Sequence, residues 1–184
     1  MAVLPREEYA IVLDFLPHGY AGSRVAMPIA QAIGETAFTL LELVAKEGVT
    51  LAPEERVYIG SGERDKIARV KRRLKLDELT SLARENLDSV LDKLIEANEK
   101  RIIEIINNAS LITPRLHKLE LIPGIGKKLA LAIIENRPFS SIAELEQKTG
   151  IKNFKKLVKE RILQELSGKE KYYVFSKPFP ARRY

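Results

Sequence analysis

Apolar and polar positions change their rhythm along this chain, and each change predicts a different kind of structure. In the first third, apolar residues come in short runs fenced by glycine and proline. Tyr9-Ala10-Ile11-Val12-Leu13, within residues 7–16, is rich in strand formers and is stopped by Pro17-His18-Gly19, which predicts a buried strand and a turn. Phe38 to Val44 predicts a second strand closed by Glu47-Gly48, although Leu40, Leu41 and Leu43 would also suit a helix. Arg56-Val57-Tyr58-Ile59, between Pro53 and Gly60-Ser61-Gly62, predicts a third. Short strands with this punctuation predict a small barrel or curled sheet over residues 1–76.

From Asp77 the period lengthens. Leu79, Leu82, Leu87, Val90, Leu91, Leu94 and Ile95 recur at helical spacing, and Ile102, Ile103, Ile105 and Ile106 continue the load up to Asn107-Asn108. These are amphipathic helices with acidic outer faces. We read residues 77–112 as a helical spacer leading to a C-terminal all-α domain, residues 113–168, and a tail, residues 169–184. The predicted fold class is therefore α+β.

Composition narrows the function. The 184 residues include no cysteine, which excludes disulfide scaffolds, thiolate metal sites and cysteine nucleophiles. Nothing approaches the roughly 20 uninterrupted apolar residues of a membrane helix, and Met1 to Tyr9 lacks a basic-then-apolar leader pattern. A soluble, cytoplasmic protein with no membrane partner is the expectation.

The net charge of +6 hides structure. Residues 1–60 carry 4 basic and 8 acidic groups, residues 61–75 carry 7 and 2, residues 76–112 carry 4 and 8, and residues 113–184 carry 16 and 7. Two basic blocks thus alternate with two acidic ones, the distribution expected of an electrostatic footprint for phosphates, although a solvated helix face looks the same.

The more basic block holds the most informative segment, Leu119-Glu120-Leu121-Ile122-Pro123-Gly124-Ile125-Gly126-Lys127-Lys128. A short helix opening on Pro114 is expected to run into a tight turn, from which a second apolar-periodic helix starts. Gly124 and Gly126 would permit positive φ and expose consecutive amides. Those amides are the unpaired donors of the new helix, where the macrodipole favours an anion. Ile125 plugs the turn into the core, and Lys127 and Lys128 add two cations. The construction fits a phosphate and reads no base.

This stretch resembles the helix-hairpin-helix motif of DNA- and RNA-binding proteins, matched from Ile122 through Ala130 and Ala132. The resemblance implies that the carbonyls of Glu120, Ile122 and Ile125 could hold a monovalent cation bridging to a phosphate. A degenerate second copy follows. Ser140 or Ser141 caps a helix supported by Glu144, Gly150-Ile151-Lys152-Asn153 makes the turn, and Phe154 opens another helix. Lys152 stands where the second glycine would be, so this turn either binds phosphate or completes the core. Four helices in this order look like the tandem helix-hairpin-helix domain. The whole chain also resembles an uncharacterised archaeal family of predicted nucleic-acid-binding proteins. That family joins an OB-like β domain to such a module; the resemblance is carried additionally by Leu13-Asp14-Phe15-Leu16-Pro17-His18-Gly19 and Val57-Tyr58-Ile59-Gly60.

Arg64, Lys66, Arg69, Lys71, Arg72, Arg73 and Lys75 form a second basic strip, readable as helix or strand, that suits phosphate forks or internal ion pairs. The tail holds five of the 12 aromatics among cations. These could stack bases, or Tyr173 and Phe175 could form a strand returning to the β domain. His18 and His117 look structural, and no carboxylate cluster, nucleophile elbow or Walker loop appears. Lys128 occupies the place of the Schiff-base lysine in helix-hairpin-helix glycosylases, but only Glu144 and Glu146 are near in sequence to assist it. The expected function is non-enzymatic, sequence-independent binding of RNA or DNA through Gly124, Ile125, Gly126, Lys127, Lys128, Gly150, Lys152 and the strip from Arg64 to Arg73, with no cofactor. The alternatives are a protein-interaction scaffold, for instance on the ribosome, and a lyase-like repair enzyme.

Overall fold

A computed structural model describes residues 6–180. Met1 to Pro5, most of the stretch read for a leader pattern, and Ala181 to Tyr184 at the end of the tail lie outside the described residues. Five strands, β1 (Tyr9–Leu16), β2 (Ile29–Gly34), β3 (Leu40–Ala45), β4 (Arg56–Tyr58) and β5 (Ile67–Arg73), form one sheet ordered β4-β1-β2-β3-β5, with every pairing antiparallel. The central strand β2 and its neighbour β3 are buried at every position. On one face Ala10, Val12, Ala30, Ala32, Leu43, Val57 and Ile67 build an apolar cluster.

The other face carries a polar row that the hydrophobic pattern does not announce. Asp14 stands opposite Gln31, Gln31 opposite Glu42, and Glu42 opposite Arg72. A shift in register between Val12 and Asp14 turns Asp14 onto this face. The Thr80 hydroxyl donates to Asp14 (2.6 Å), the Thr80 amide to Gln31 (2.8 Å) and the Tyr20 hydroxyl to one oxygen of Glu42 (2.5 Å), whose other oxygen is met by the Lys71 ammonium at 3.1 Å. In a dry site such a closed network is stabilising, whereas an open one would be costly.

The ambiguous basic strip resolves as strand β5. It is bulged twice against β3, and only Ile67 among its seven residues is buried.

The chain then turns helical, with α1 (Ser81–Ala97) and α2 (Glu99–Asn108). These helices do not form a compact unit of their own. Two compact units divide the described residues: one comprises those up to Val90 with Leu166–Gly168 and those from Ser176 to Pro180, the other Leu91–Glu165 and Lys169–Phe175. In the second unit, the helix expected to open on Pro114 is replaced by a small β-hairpin, β6 (Leu111–Thr113) and β7 (Leu116–His117), followed by one 3-10 turn, Lys118–Leu121. Proline forces its predecessor into extended backbone, and β-branched Ile112 and Thr113 already favour it. Next come α3 (Lys127–Asn136), α4 (Ile142–Thr149) and α5 (Phe154–Leu166). Ser141 caps α4, its hydroxyl accepting from the Glu144 amide at 3.1 Å. Leu119, Ile122, Ile125, Ile133, Leu145, Phe154, Val158 and Ile162 are among the buried residues of this unit.

The tail makes no strand at Tyr173 to Phe175. The amides of Val174 and Phe175 donate instead to the Glu165 carboxylate, at 2.7 and 3.1 Å. Within the β unit, the Lys177 amide donates to the Ala37 carbonyl at 3.2 Å.

Candidate nucleic-acid interface

The turn before α3 follows from local chemistry. Ile122-Pro123-Gly124-Ile125 closes with the Ile125 amide donating to the Ile122 carbonyl at 3.0 Å, and Gly124 takes φ +83°. Proline at the second position and a positive-φ glycine at the third define a type II turn. A Cβ at Gly124 would also stand 3.4 Å from Leu157 Cδ2 of α5, so the turn lies against that helix. Ile125 is only 3% exposed, seated in the core as the plug. Gly126 differs from expectation. Its backbone is extended, φ −90° and ψ −171°, so any residue could adopt it, and a Cβ there would meet nothing within 4 Å. Its lack of a side chain leaves open space in front of the helix start.

That helix start is uncapped. Gly126 offers no side-chain bond, the first turn of α3 holds no acid, and the first intrahelical bond runs from the Ala130 amide to the Gly126 carbonyl at 2.9 Å. The Lys127, Lys128 and Leu129 amides therefore lack a helical acceptor, and the dipole adds positive potential beside them. Gly124, Gly126, Lys127 and Lys128 are exposed. Lys127 Nζ reaches the Arg115 carbonyl at 3.4 Å; Lys128 makes no ion pair among the described residues.

Two buried polar groups hold the approach to the turn. His117 Nδ1 accepts from the Leu119 amide (3.1 Å) while the His117 amide donates to Glu120 (2.7 Å), capping the 3-10 turn from both directions. Burial pushes the His117 imidazole below its ordinary 6.5, and Arg137 adds to that against the opposing pull of Glu120. Arg161 of α5 pairs with Glu165 at 2.8 Å, the two side chains being 4% and 0% exposed. It donates onward to the carbonyls of Leu121 (3.3 Å) and Tyr172 (2.6 Å). Sequence reasoning missed this pair; its only local signal is the i,i+4 spacing on a helix.

At the second turn Gly150 adopts the left-handed conformation (φ +75°) and Ile151 is the buried plug. Asn153 then takes φ +55° before α5 begins. Here the helix start has an internal anion: Glu146 Oε1 accepts from the Phe154 amide at 3.4 Å. Lys152, Lys155 and Lys156 are exposed and make no ion pair among the described residues.

The β5 strip is arranged differently. Lys66 pairs with Glu55, Lys71 with Glu42 at 3.1 Å, and Arg72 with Glu78 at 2.6 Å and Glu42 at 3.4 Å. Arg73 donates to the carbonyls of Lys177 (2.5 Å) and Pro178 (2.8 Å), with its guanidinium 3.6 Å from the Phe179 ring centroid. Arg64 donates to the Gly60 carbonyl at 2.8 Å, and Arg69 lies against Met27 Sδ at 3.8 Å. Burial raises the Glu42 carboxyl, but Tyr20, Lys71 and Arg72 outweigh it and hold it below the ordinary range. Burial and the Glu42 bond push the Tyr20 phenol up to about 12.

Among the described residues, no group of three or more histidine and carboxylate side chains is placed to hold a metal ion, and no helix is long and apolar enough to cross a membrane.

Known proteins resemble the chain along nearly its whole length. It is 43% identical over 176 residues to the uncharacterized protein MJ0038 of Methanocaldococcus jannaschii, covering 93% of this chain and 80% of that protein. Its fold superposes on the crystal structure of Af1531 from Archaeoglobus fulgidus with a TM-score of 0.80 and 40% identity, covering 93% of this chain and 100% of that one. The family model described as "Protein of unknown function (DUF655)" matches residues 6–177. The chain belongs to the DUF655 family.

Proposed function

We infer that the protein binds RNA or DNA without catalysis and largely without regard to sequence, through backbone phosphates. The observation that carries this reading is the start of α3, with its uncapped amides, open space at Gly126 and uncommitted Lys128. In this reading the Ile122 to Lys128 turn is a helix-hairpin-helix element whose first helix is shortened to a 3-10 turn. The second turn, its helix start occupied by Glu146, contributes the side chains of Lys152, Lys155 and Lys156. The five-stranded sheet is OB-like, and Arg69, exposed on β5, and Arg64, beside it, pair with no carboxylate among the described residues. The carbonyl oxygens of Glu120, Ile122 and Ile125 are ligands of the kind a monovalent cation takes, although that of Ile122 already accepts from the Ile125 amide. Against a lyase, Glu144 is bound by Lys148 (2.7 Å) and Ser140 (2.5 Å) and Glu146 by the Phe154 amide, so neither carboxylate is held toward Lys128.

A filter-binding titration at two salt concentrations tests the reading: affinity falls steeply with salt and little with sequence. Gly126→Val fills the space before the amides while its backbone remains accessible to valine, so the fold survives and binding collapses. A scaffold reading is favoured by Leu131, 53% exposed on α3. It predicts that Gly126→Val keeps its partner, and no nucleic-acid binding by the wild type would leave that reading standing alone.

A further inference from the structure

A second site lies in the β unit, at the edge formed by β1 and β4. Tyr9 pairs across the strands with Tyr58, and Arg56 with Ile11, so Tyr9, Tyr58 and Arg56 share one face, opposite to Ala10 and Val57 in the core cluster. The two tyrosine rings meet edge to face at 5.3 Å. The Arg56 guanidinium lies over Tyr9, 3.6 Å from its centroid, and is fixed there by a two-bonded fork to Glu35 at 2.9 and 2.7 Å. Its edge is thus occupied by a carboxylate and one face by a ring, yet the side chain remains 54% exposed. The Gly60-Ser61-Gly62 loop folds onto Tyr58, where a Cβ at Gly60 would overlap the ring, and the Gly62 amide donates to the Tyr58 hydroxyl at 3.0 Å.

Tyr9, Arg56 and the loop that Tyr58 holds border a cleft of about 530 Å3, lined by Arg6, Glu8, Tyr9, Arg56, Gly60 and Ser61 among others, a size in the usual range for ligand sites. Two of its carboxylates are spoken for: Glu35 by Arg56, and Glu7 by the amides of Thr36 (2.9 Å) and Ala37 (2.7 Å). Arg6, Glu8 and Ser61 are exposed. Two arginines against three carboxylates make a poor phosphate site. A flat, immobilised guanidinium on an aromatic ring, with polar side chains at the rim, suits a neutral planar heterocycle that stacks and is read at its edge.

We propose that the Tyr9–Arg56 cleft takes an unpaired nucleobase, giving the protein a preference for single-stranded RNA or DNA. The proposal rests on the nucleic-acid reading above but uses different residues and a different force, since stacking carries little salt dependence.

The test titrates the full chain against a single strand and a blunt duplex of equal length, and separately against free adenosine and cytidine while the Tyr9 ring resonances are followed. Tyr9→Leu and Arg56→Gln each weaken single-strand binding roughly ten- to a hundredfold, the range of base–aromatic stacking. Duplex binding and the salt slope stay unchanged, and Tyr9→Phe retains the wild-type preference. Unaltered single-strand affinity in both Tyr9→Leu and Arg56→Gln, with intact folding by circular dichroism, overturns the site and leaves the phosphate reading standing. Nucleoside-induced shifts at Tyr9 in a protein that binds no polymer support the cleft and overturn the phosphate reading. No shift with either nucleoside overturns the cleft.

Discussion

Between Arg64 and Lys75 the sequence sets seven basic residues within 12 positions, and around the two turns of the helical unit it sets Lys127, Lys128, Lys152, Lys155 and Lys156. Along and beside β5 most of the cations are answered from within the unit: Lys66, Lys71 and Arg72 by Glu55, Glu42 and Glu78, and Arg73 by tail carbonyls and the Phe179 ring. Around the turns the five lysines are exposed, and only Lys127 reaches an acceptor, weakly. The denser cluster of charge is therefore the less available one. A phosphate that engages a paired cation gains only the difference between two interactions, whereas at a free lysine it gains the whole interaction together with counterion release. The proposed function accordingly gives the turns the larger share.

The comparison breaks most sharply if a committed cation proves dispensable. Arg161 tests this within the same unit as the free lysines. Arg161→Met removes the guanidinium paired with Glu165, which is 0% exposed, and should cost about 3–5 kcal/mol in urea unfolding, the range for breaking one side of a buried pair. Replacing Arg161 and Glu165 together by apolar residues should recover part of that. A single variant as stable as wild type would show that burial does not mark commitment.

Charge reversal at the free lysines should have the converse signature. Lys127→Glu with Lys128→Glu should leave unfolding free energy within about 0.5 kcal/mol. Nucleic-acid affinity should fall about tenfold or more, and the salt slope by roughly 2, about one for each phosphate no longer neutralised. Lys66→Gln with Lys71→Gln should leave the slope unchanged and cost at most about 1 kcal/mol of stability, since both lysines are partly exposed. Equal slope changes in the two pairs, measured by fluorescence anisotropy, would erase the distinction.

These asymmetries mark the limit of what the sequence makes legible. The Pro123-Gly124 turn, the Ser141 cap and the Gly150 helix end could be read because their chemistry is local. So could β1, β3 and β4, whose apolar runs are cut off by glycine and proline. β2 could not: Ile29-Ala30-Gln31-Ala32-Ile33-Gly34 is alanine-rich with a central glutamine, and that glutamine is buried only because Tyr20, Glu78 and Thr80 satisfy it from elsewhere. Pro114 reads as a helix start but sits in the turn of the β6–β7 hairpin, because the β-branched residues before it favour extended backbone. The pairing of β5 was hidden by distance. Lys66 and Glu55 are 11 residues apart, Arg72 and Glu42 are 30, and Arg73 and Pro178 are 105. The candidate site was thus legible as a turn and illegible as a choice between two basic regions.

Removing a partner rather than a cation sharpens the same contrast. Glu42→Gln should cost about 1–2 kcal/mol through the weakened bond from Tyr20 and the missing ion pairs, which are discounted because Lys71 and Arg72 reach solvent. It should also make β5 behave more like the turns, steepening the salt slope by up to roughly 1 as Lys71 is released. An unchanged slope in a folded Glu42→Gln variant would mean that β5 does not face nucleic acid at all.

The smallest expected effect separates the turn's geometry from its charge. Lowering pH makes any protein more positive, so a purely electrostatic interface binds nucleic acid more tightly in acid. His117 predicts the reverse for the Ile122 to Lys128 turn. Its imidazole must be neutral at Nδ1 to accept from Leu119, and burial with Arg137 nearby holds its titration below the ordinary 6.5. The unfolded chain therefore takes up the proton first. The stability that neutral His117 contributes is fully present above pH 6.5 and is lost as pH falls from there through the native value. Once protonated, Nδ1 presents hydrogen to the Leu119 amide, the cap is lost, and the turn that displays the α3 amides loosens while Lys127 and Lys128 keep their charge. Affinity should then decline severalfold from pH 7 to pH 5. His117→Asn, which retains a capping oxygen but does not titrate, should remove the decline; an identical pH profile in that variant would return the turn to the category of simple charge.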